Sequence, residues 1–151
     1  MNNMIRTIKE LTDKFFEFLI DDPVRPNIPH VDRIGKNRDI FVFRNEQDEV
    51  KAMTCVSYQN TIPTKESELF EICDNPDVAV FYTIWSYAPG AGRTLIFEAV
   101  KSIKENNPDI KRFVTLSPKT DLAKRFHTRN GAIVFRENED TVNYEYLQVI
   151  K

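Results

Sequence analysis

Gly90-Ala91-Gly92 stands between a run that reads as a buried strand, VAVFYTIWSY (78–87), and a helical stripe of Ile96, Ala99, Val100 and Ile103. The chain has only four glycines in 151 residues, so two of them around one alanine mark a place that needs bare backbone. Successive N–H groups at a helix N-terminus, backed by the positive end of its dipole, form an anion site that phosphate can approach closely. Two phosphate motifs fail at this position. A P-loop requires Lys where Arg93 stands and a glycine further upstream, and a dinucleotide fingerprint requires a third glycine where Leu95 stands. Metal chemistry is not expected, because Cys55 and Cys73 form no C-x-x-C and His30 and His127 are the only histidines.

The elements that must hold this loop can be read from periodicity. Met4, Ile8, Leu11, Phe15, Phe18 and Leu19 recur at threes and fours, which predicts an amphipathic helix over 4–20 ending at Asp22-Pro23. Residues 23–38 hold three prolines and a glycine without period, a long loop of the kind that covers a site. Ile40 to Arg44 and Val50 to Tyr58 predict a hairpin around NEQDE, and Lys65 to Cys73 a short helix. Both faces of 78–87 are apolar, so it is expected to be a central strand covered on both sides. A helix from near Thr94 to Asn106 follows, then a strand at Arg112 to Leu116, a helix at Asp121 to Arg129 stopped by Asn130-Gly131, and strands at Ala132 to Arg136 and Tyr144 to Ile150. This order predicts one α+β domain over 1–151, a mixed sheet with helices packed on it.

Hydrophobic residues at 41%, charged ones at 29% and a net charge of −2 fit a folded domain and give no overall field for nucleic acid. No apolar run is long enough to span a membrane and no targeting segment is read, so a cytoplasmic protein with neither nucleic-acid nor membrane partner is expected. The charge is uneven. Lys111, Arg112, Lys119, Lys124, Arg125 and Arg129 stand against Asp121 alone, whereas Glu66, Glu68, Glu71, Asp74 and Asp77 stand against Lys65.

Tyr87-Ala88-Pro89-Gly90-Ala91-Gly92, with Arg93-Thr94-Leu95-Ile96 after it, resembles the Q/R-x-x-G-x-G/A loop of the GNAT superfamily of acyl-CoA-dependent N-acetyltransferases. Ala123 to Ala132, AKRFHTRNGA, is similar to that superfamily's A-x-x-F/L-Y-x-x-x-G-F, with His127 at the tyrosine that commonly protonates the departing thiolate. The resemblance implies a GNAT-like, mostly antiparallel sheet flanked by helices. It also implies coenzyme A or acetyl-CoA held by Ile84, Trp85, Ala88, Gly90, Ala91, Gly92, Arg93 and Thr94, and an acyl group passed to a small-molecule or peptide amine. Tyr87 stands where the superfamily has Arg or Gln, and the strand 78–87 has no carboxylate where many members keep a general base.

FHTRNGA (126–132), FYTI (81–84), TLSP (115–118) and VNYEY (142–146) resemble in order the catalytic domain of malonyl-CoA decarboxylases, which is GNAT-like. That likeness implies a hydroxyl and imidazole pair, here Thr83 and His127. In decarboxylation an enolate would be stabilised by the Thr83 hydroxyl and strand N–H groups, with His127 protonating the carbanion. In acetyl transfer the N–H groups around Thr83 to Trp85 would polarise the thioester and His127 would assist the thiolate. Amine transfer is the first expectation, decarboxylation the second and a non-catalytic CoA-binding module the third. The basic run is expected near CoA phosphates, Arg93 nearest the loop, with the acidic segment on the acceptor side; a homodimer is left open.

Overall fold

The computed structural model describes residues 4–147. Its strands are β1 (Ile5–Ile8), β2 (Arg38–Arg44), β3 (Val50–Gln59), β4 (Val78–Ser86), β5 (Arg112–Thr115), β6 (Ser117–Pro118), β7 (Ile133–Glu137) and β8 (Thr141–Glu145). Two α-helices, α1 (Ala91–Asn106) and α2 (Asp121–Arg129), and three short 3-10 helices, Phe16–Asp21, His30–Arg33 and Glu66–Phe70, complete the described residues. The eight strands form one sheet in the order β1-β2-β3-β4-β5-β8-β6, with β7 paired to β8. Only β4 and β5 run parallel; every other pair is antiparallel. The mixed, mostly antiparallel α+β architecture is the one expected.

The N-terminus departs from expectation. Residues 5–8 extend along β2, Ile5 opposite Phe43 and Ile8 opposite Ile40, and a 3-10 helix replaces the rest of the helix expected over 4–20. Leu11, which a helical stripe would bury, is 53% exposed. The backbone groups on the outer edge of β2 need partners, and that tertiary demand overrides a local helical period. The short helix expected at 65–73 is a 3-10 helix over Glu66–Phe70, and the 23–38 loop contains another at His30–Arg33. The last strand starts earlier than expected, at Thr141; residues 148–150 lie outside the described residues.

The two faces of the sheet are covered by different materials. Leu95, Ile96, Ala99, Val100 and Ile103 of α1 pack on Val56, Ala79 and Phe81. On the other face Phe15, Leu19, Ile28 and Leu69, from the 3-10 segments, pack on Met53, Val80, Tyr82 and Leu116. β4 is thus the double-sided central strand its composition predicts. No helix among the described residues is long and apolar enough to cross a membrane.

Candidate active site in the strand split

Two backbone irregularities open a site beside β4. First, β3 pairs Val56 with Phe81 but Cys55 with Thr83, so Tyr82 is an extra residue on β4, a β-bulge. Phe81 packs toward α1, Tyr82 and Trp85 pack on the opposite face, and Ile84 returns toward α1. Without the bulge, alternation would send Thr83 toward α1; the extra residue turns it toward the 3-10 face instead. Second, β4 and β5 pair only from Val78–Arg112 to Phe81–Thr115, with one further bond from Leu116 N–H to Phe81 O at 3.0 Å. The chain then crosses to β8 through Ser117–Pro118, and proline has no N–H with which to continue the ladder. The strands part.

A cavity of about 350 Å³ occupies the split. Thr83, Ile84 and Trp85 line it from β4, Gly92 from α1, and Ala123, Phe126 and His127 from α2, with Pro23 and Val24 on the 3-10 side. Thr83 and His127, far apart in sequence, therefore share one cleft. No Asp, Glu, Lys or Arg side chain is among its lining residues.

His127 is placed by α2, whose N-terminus is capped by Thr120 accepting from the N–H of Ala123 at 3.1 Å. The ring is 4% exposed, stacks on Tyr144 at 5.1 Å and meets Phe126 and Tyr146 edge-on. Its Nδ1 lies 2.7 Å from the Tyr146 hydroxyl. Burial pushes its pKa down to about 4, so the imidazole is neutral at ordinary pH. The Tyr146 phenol is itself raised by burial, with Arg93 opposing that rise.

Thr83 is tied to a buried ion pair. Its hydroxyl donates to Asp22 Oδ1 at 2.7 Å, Arg33 donates to Asp22 Oδ2 at 2.6 Å, and the N–H groups of Val24 and Arg25 donate to Oδ1. Both side chains of the ion pair are 0% exposed. Burial raises the Asp22 carboxyl, but the bonds from Thr83, Arg33 and the two N–H groups outweigh it and hold the pKa below the ordinary value. An ionised Asp22 can only accept, so the one hydroxyl proton of Thr83 is directed at it and not at the cavity.

The glycines have separate reasons. Gly90 caps α1 with φ +77°, and nothing lies within 4 Å of where its Cβ would be. A Cβ on Gly92 would meet Phe126 ring carbons at 3.1 Å, so this glycine lets α1 approach α2. α1 starts at Ala91, earlier than Thr94, because Gly90 supplies the turn. Ala91 N–H bonds Ala88 O and Thr94 N–H bonds Gly90 O, while the N–H groups of Gly92 and Arg93 have no partner among the described residues. These two donors at the first turn of a sixteen-residue helix fit a phosphate group. Ile84, Trp85 and Gly92 of the expected CoA residues line the cavity; Ala88 and Gly90 of the turn and Ala91, Arg93 and Thr94 at the start of α1 lie outside its lining.

The flanking charges are partly committed. Arg93 donates to Asn130 Oδ1 at 3.0 Å and lies 4.4 Å from the Phe97 ring centroid. Arg112 makes two bonds to Glu145, whereas Lys119, Lys124, Arg125 and Arg129 are exposed. In the acidic segment Glu66 pairs with Arg25 and Glu68 accepts from Thr64 N–H. Tyr87 donates to Asp21 at 2.7 Å and accepts from Trp85 Nε1–H at 3.0 Å; burial, together with the bond to Asp21, pushes its pKa up to about 12. Asp22, Arg33 and Tyr146 carry no motif that assigns them to the site, although VNYEY, which contains Tyr146, was already singled out.

No family model and no curated protein sequence matches the chain. Solved structures do. A malonyl-CoA decarboxylase from Rhodopseudomonas palustris superposes with TM-score 0.74 at 19% identity, covering 95% of this chain and 59% of that one. A malonyl-CoA decarboxylase from Agrobacterium vitis gives TM-score 0.66 at 23% identity, covering 81% and 35%. A Bacillus subtilis acetyltransferase in complex with CoA gives 0.65 at 11%, covering 94% and 96%. The chain has the GNAT-like fold. It matches the acetyltransferase over nearly its full length but spans only 35% to 59% of these two decarboxylase chains.

Proposed function

We propose that this GNAT-like chain binds an acyl-CoA and acts on the acyl group inside the β4–β5 split, with decarboxylation of a malonyl-type thioester as the reaction that fits best. The observation that carries this reading is the buried, neutral His127 lining a cavity that has no charged side chain in its wall. CoA phosphates would sit on the free N–H groups of Gly92 and Arg93, and the thioester would enter beside Ile84 and Trp85. An unpaired carboxylate in such surroundings is destabilised, and losing CO2 moves its charge onto the delocalised enolate, where a proton then neutralises it. The C–C bond breaks with its electron pair passing into the thioester enolate, whose oxygen would be met by backbone N–H groups of β4 beyond Phe81, where β5 no longer pairs with it. In the tautomer with hydrogen on Nε2, His127 gives that proton to the carbon while the Tyr146 hydroxyl supplies Nδ1, and water restores the phenol. A thioester enolate is more basic than a phenolate, so the transfer runs downhill.

Amine transfer is the second reading, favoured by the Thr83 hydroxyl. With its O–H donated to Asp22, Thr83 offers only lone pairs to the cavity, which suits an N–H of an incoming amine. The absence of a carboxylate among the lining residues counts against a cationic acceptor, and this places transfer behind decarboxylation. Calorimetry with CoA tests the shared claim. Malonyl-CoA alone should yield CO2 and acetyl-CoA, and His127→Ala should slow this by about 10²- to 10⁴-fold. Thiol released only when an amine is added would install the transfer reading; CoA binding with neither reaction would leave a binding module.

A further inference from the structure

Where β4 and β5 part, two carbonyls lose the partners a continued ladder would provide, and both accept from one side chain. Arg25 donates through Nε to Tyr82 O at 3.0 Å and through Nη2 to Leu116 O at 2.8 Å, while Nη1 meets Glu66 at 3.0 Å. The guanidinium is planar with its donors in a fixed fork, so it sets the spacing of the two strands at the split. Its side chain is only 10% exposed, and Arg33 holds the segment in place by donating to Arg25 O at 2.8 Å. Tyr82 and Leu116 pack on the face away from α1. The cavity takes Gly92, Ala123 and Phe126 from the helical face and Pro23 and Val24 from the other, so it runs through the sheet.

We propose that Arg25 is a bolt across the non-helical end of the split, a specificity residue that keeps water and second substrates from the thioester and confines the reaction to the acyl-CoA itself. This rests on the acyl-CoA reading above. Removing the guanidinium leaves the Tyr82 and Leu116 carbonyls without a common partner and opens a path from the 3-10 side. A small neutral nucleophile such as hydroxylamine then reaches the thioester. Its nitrogen bonds to the carbonyl carbon, the C–S bond breaks with its electron pair on sulfur, and a nitrogen proton passes to the thiolate, giving a hydroxamate and free CoA.

Two readouts test the bolt. With acetyl-CoA and hydroxylamine, Arg25→Ala should form hydroxamate about tenfold faster than the parent after subtraction of the enzyme-free rate, with Arg25→Lys in between. Trp85, the single tryptophan of the chain, lines the cavity at 8% exposure, so its fluorescence should become more readily quenched by acrylamide in Arg25→Ala. The quenching needs no CoA, so it judges the bolt even if the parent protein binds none and the acyl-CoA reading falls. Where Arg25→Ala does not fold, Arg25→Gln, which keeps one amide donor, gives the same two readings. A folded variant with parental circular dichroism and unchanged quenching and hydroxamate rate overturns the proposal.

Discussion

The loop at 86–93 and the segment at 20–34 approach the cavity from opposite faces of the sheet, and they are built on opposite principles. The first works through backbone: Gly90 at φ +77°, a glycine contact at Gly92, and two N–H groups left open at the start of α1. The second works through side chains, with Asp22, Arg25 and Arg33 bonded to one another's backbone, to Thr83 and to the carbonyls of parted strands. A backbone site stays open to a ligand because its donors need no conformational adjustment. A desolvated side-chain lattice is nearly all-or-none, because losing one member strands a buried charge.

The sharpest break in this contrast is Asp22→Ala. It leaves the fully buried Arg33 guanidinium without its carboxylate, and a loss of about 3–5 kcal/mol in urea denaturation is expected. Parental stability would show that the lattice does not hold the segment. Acid should distinguish the two faces next. His127 is neutral in the fold down to about pH 4 but protonates near 6.5 when unfolded, so the unfolded chain binds the extra proton between those values. Stability from this group is complete above 6.5 and declines toward pH 4, by about 3 kcal/mol at most. Asp22, with its pKa lowered, gives way only below its ordinary 3.8. Melting curves of the parent and His127→Phe across this range should differ in slope above pH 4 and not below; equal slopes throughout would remove the burial argument.

The smallest effects belong to the glycines. Gly92→Ala pushes a methyl into the Phe126 ring and should cost about 1–3 kcal/mol while weakening CoA binding, since Phe126 neighbours His127 and the cavity. Gly90→Ala meets open space and only a left-handed backbone, so about 1–2 kcal/mol of stability is expected to go. If the two losses are equal and CoA binding is untouched by both, Gly92 has no packing role at the site.

The backbone half of the site was legible early. A glycine pair after a double-sided apolar strand announces a bare turn, and FHTRNGA places His127 on a short helix stopped at Asn130-Gly131. The side-chain half was hidden. Asp22 and Arg33 lie in a proline-rich stretch where charges are normally solvated, and Asp22 reaches a hydroxyl 61 residues away. The helix expected over 4–20 failed for a related reason: Ile5 and Ile8 serve opposite faces of a sheet, and the strand they pair with, β2, comes later in the chain. Nor does alternation along VAVFYTIWSY reveal that Tyr82 is bulged, because both faces of the strand are apolar and a slip of one residue changes nothing in the pattern.

By itself the amino-acid sequence determined the order of most elements, the double-sided β4, the open turn before α1 and the histidine of α2. These are written in local spacing, backbone permissiveness and hydrophobic period. Only the tertiary structure decided that Thr83 and His127 meet in one cavity, that the Thr83 proton goes to Asp22, and that Arg25 joins the parted strands. Each of these depends on partners distant in sequence, and desolvation gives such partners their strength only once the chain has closed around them.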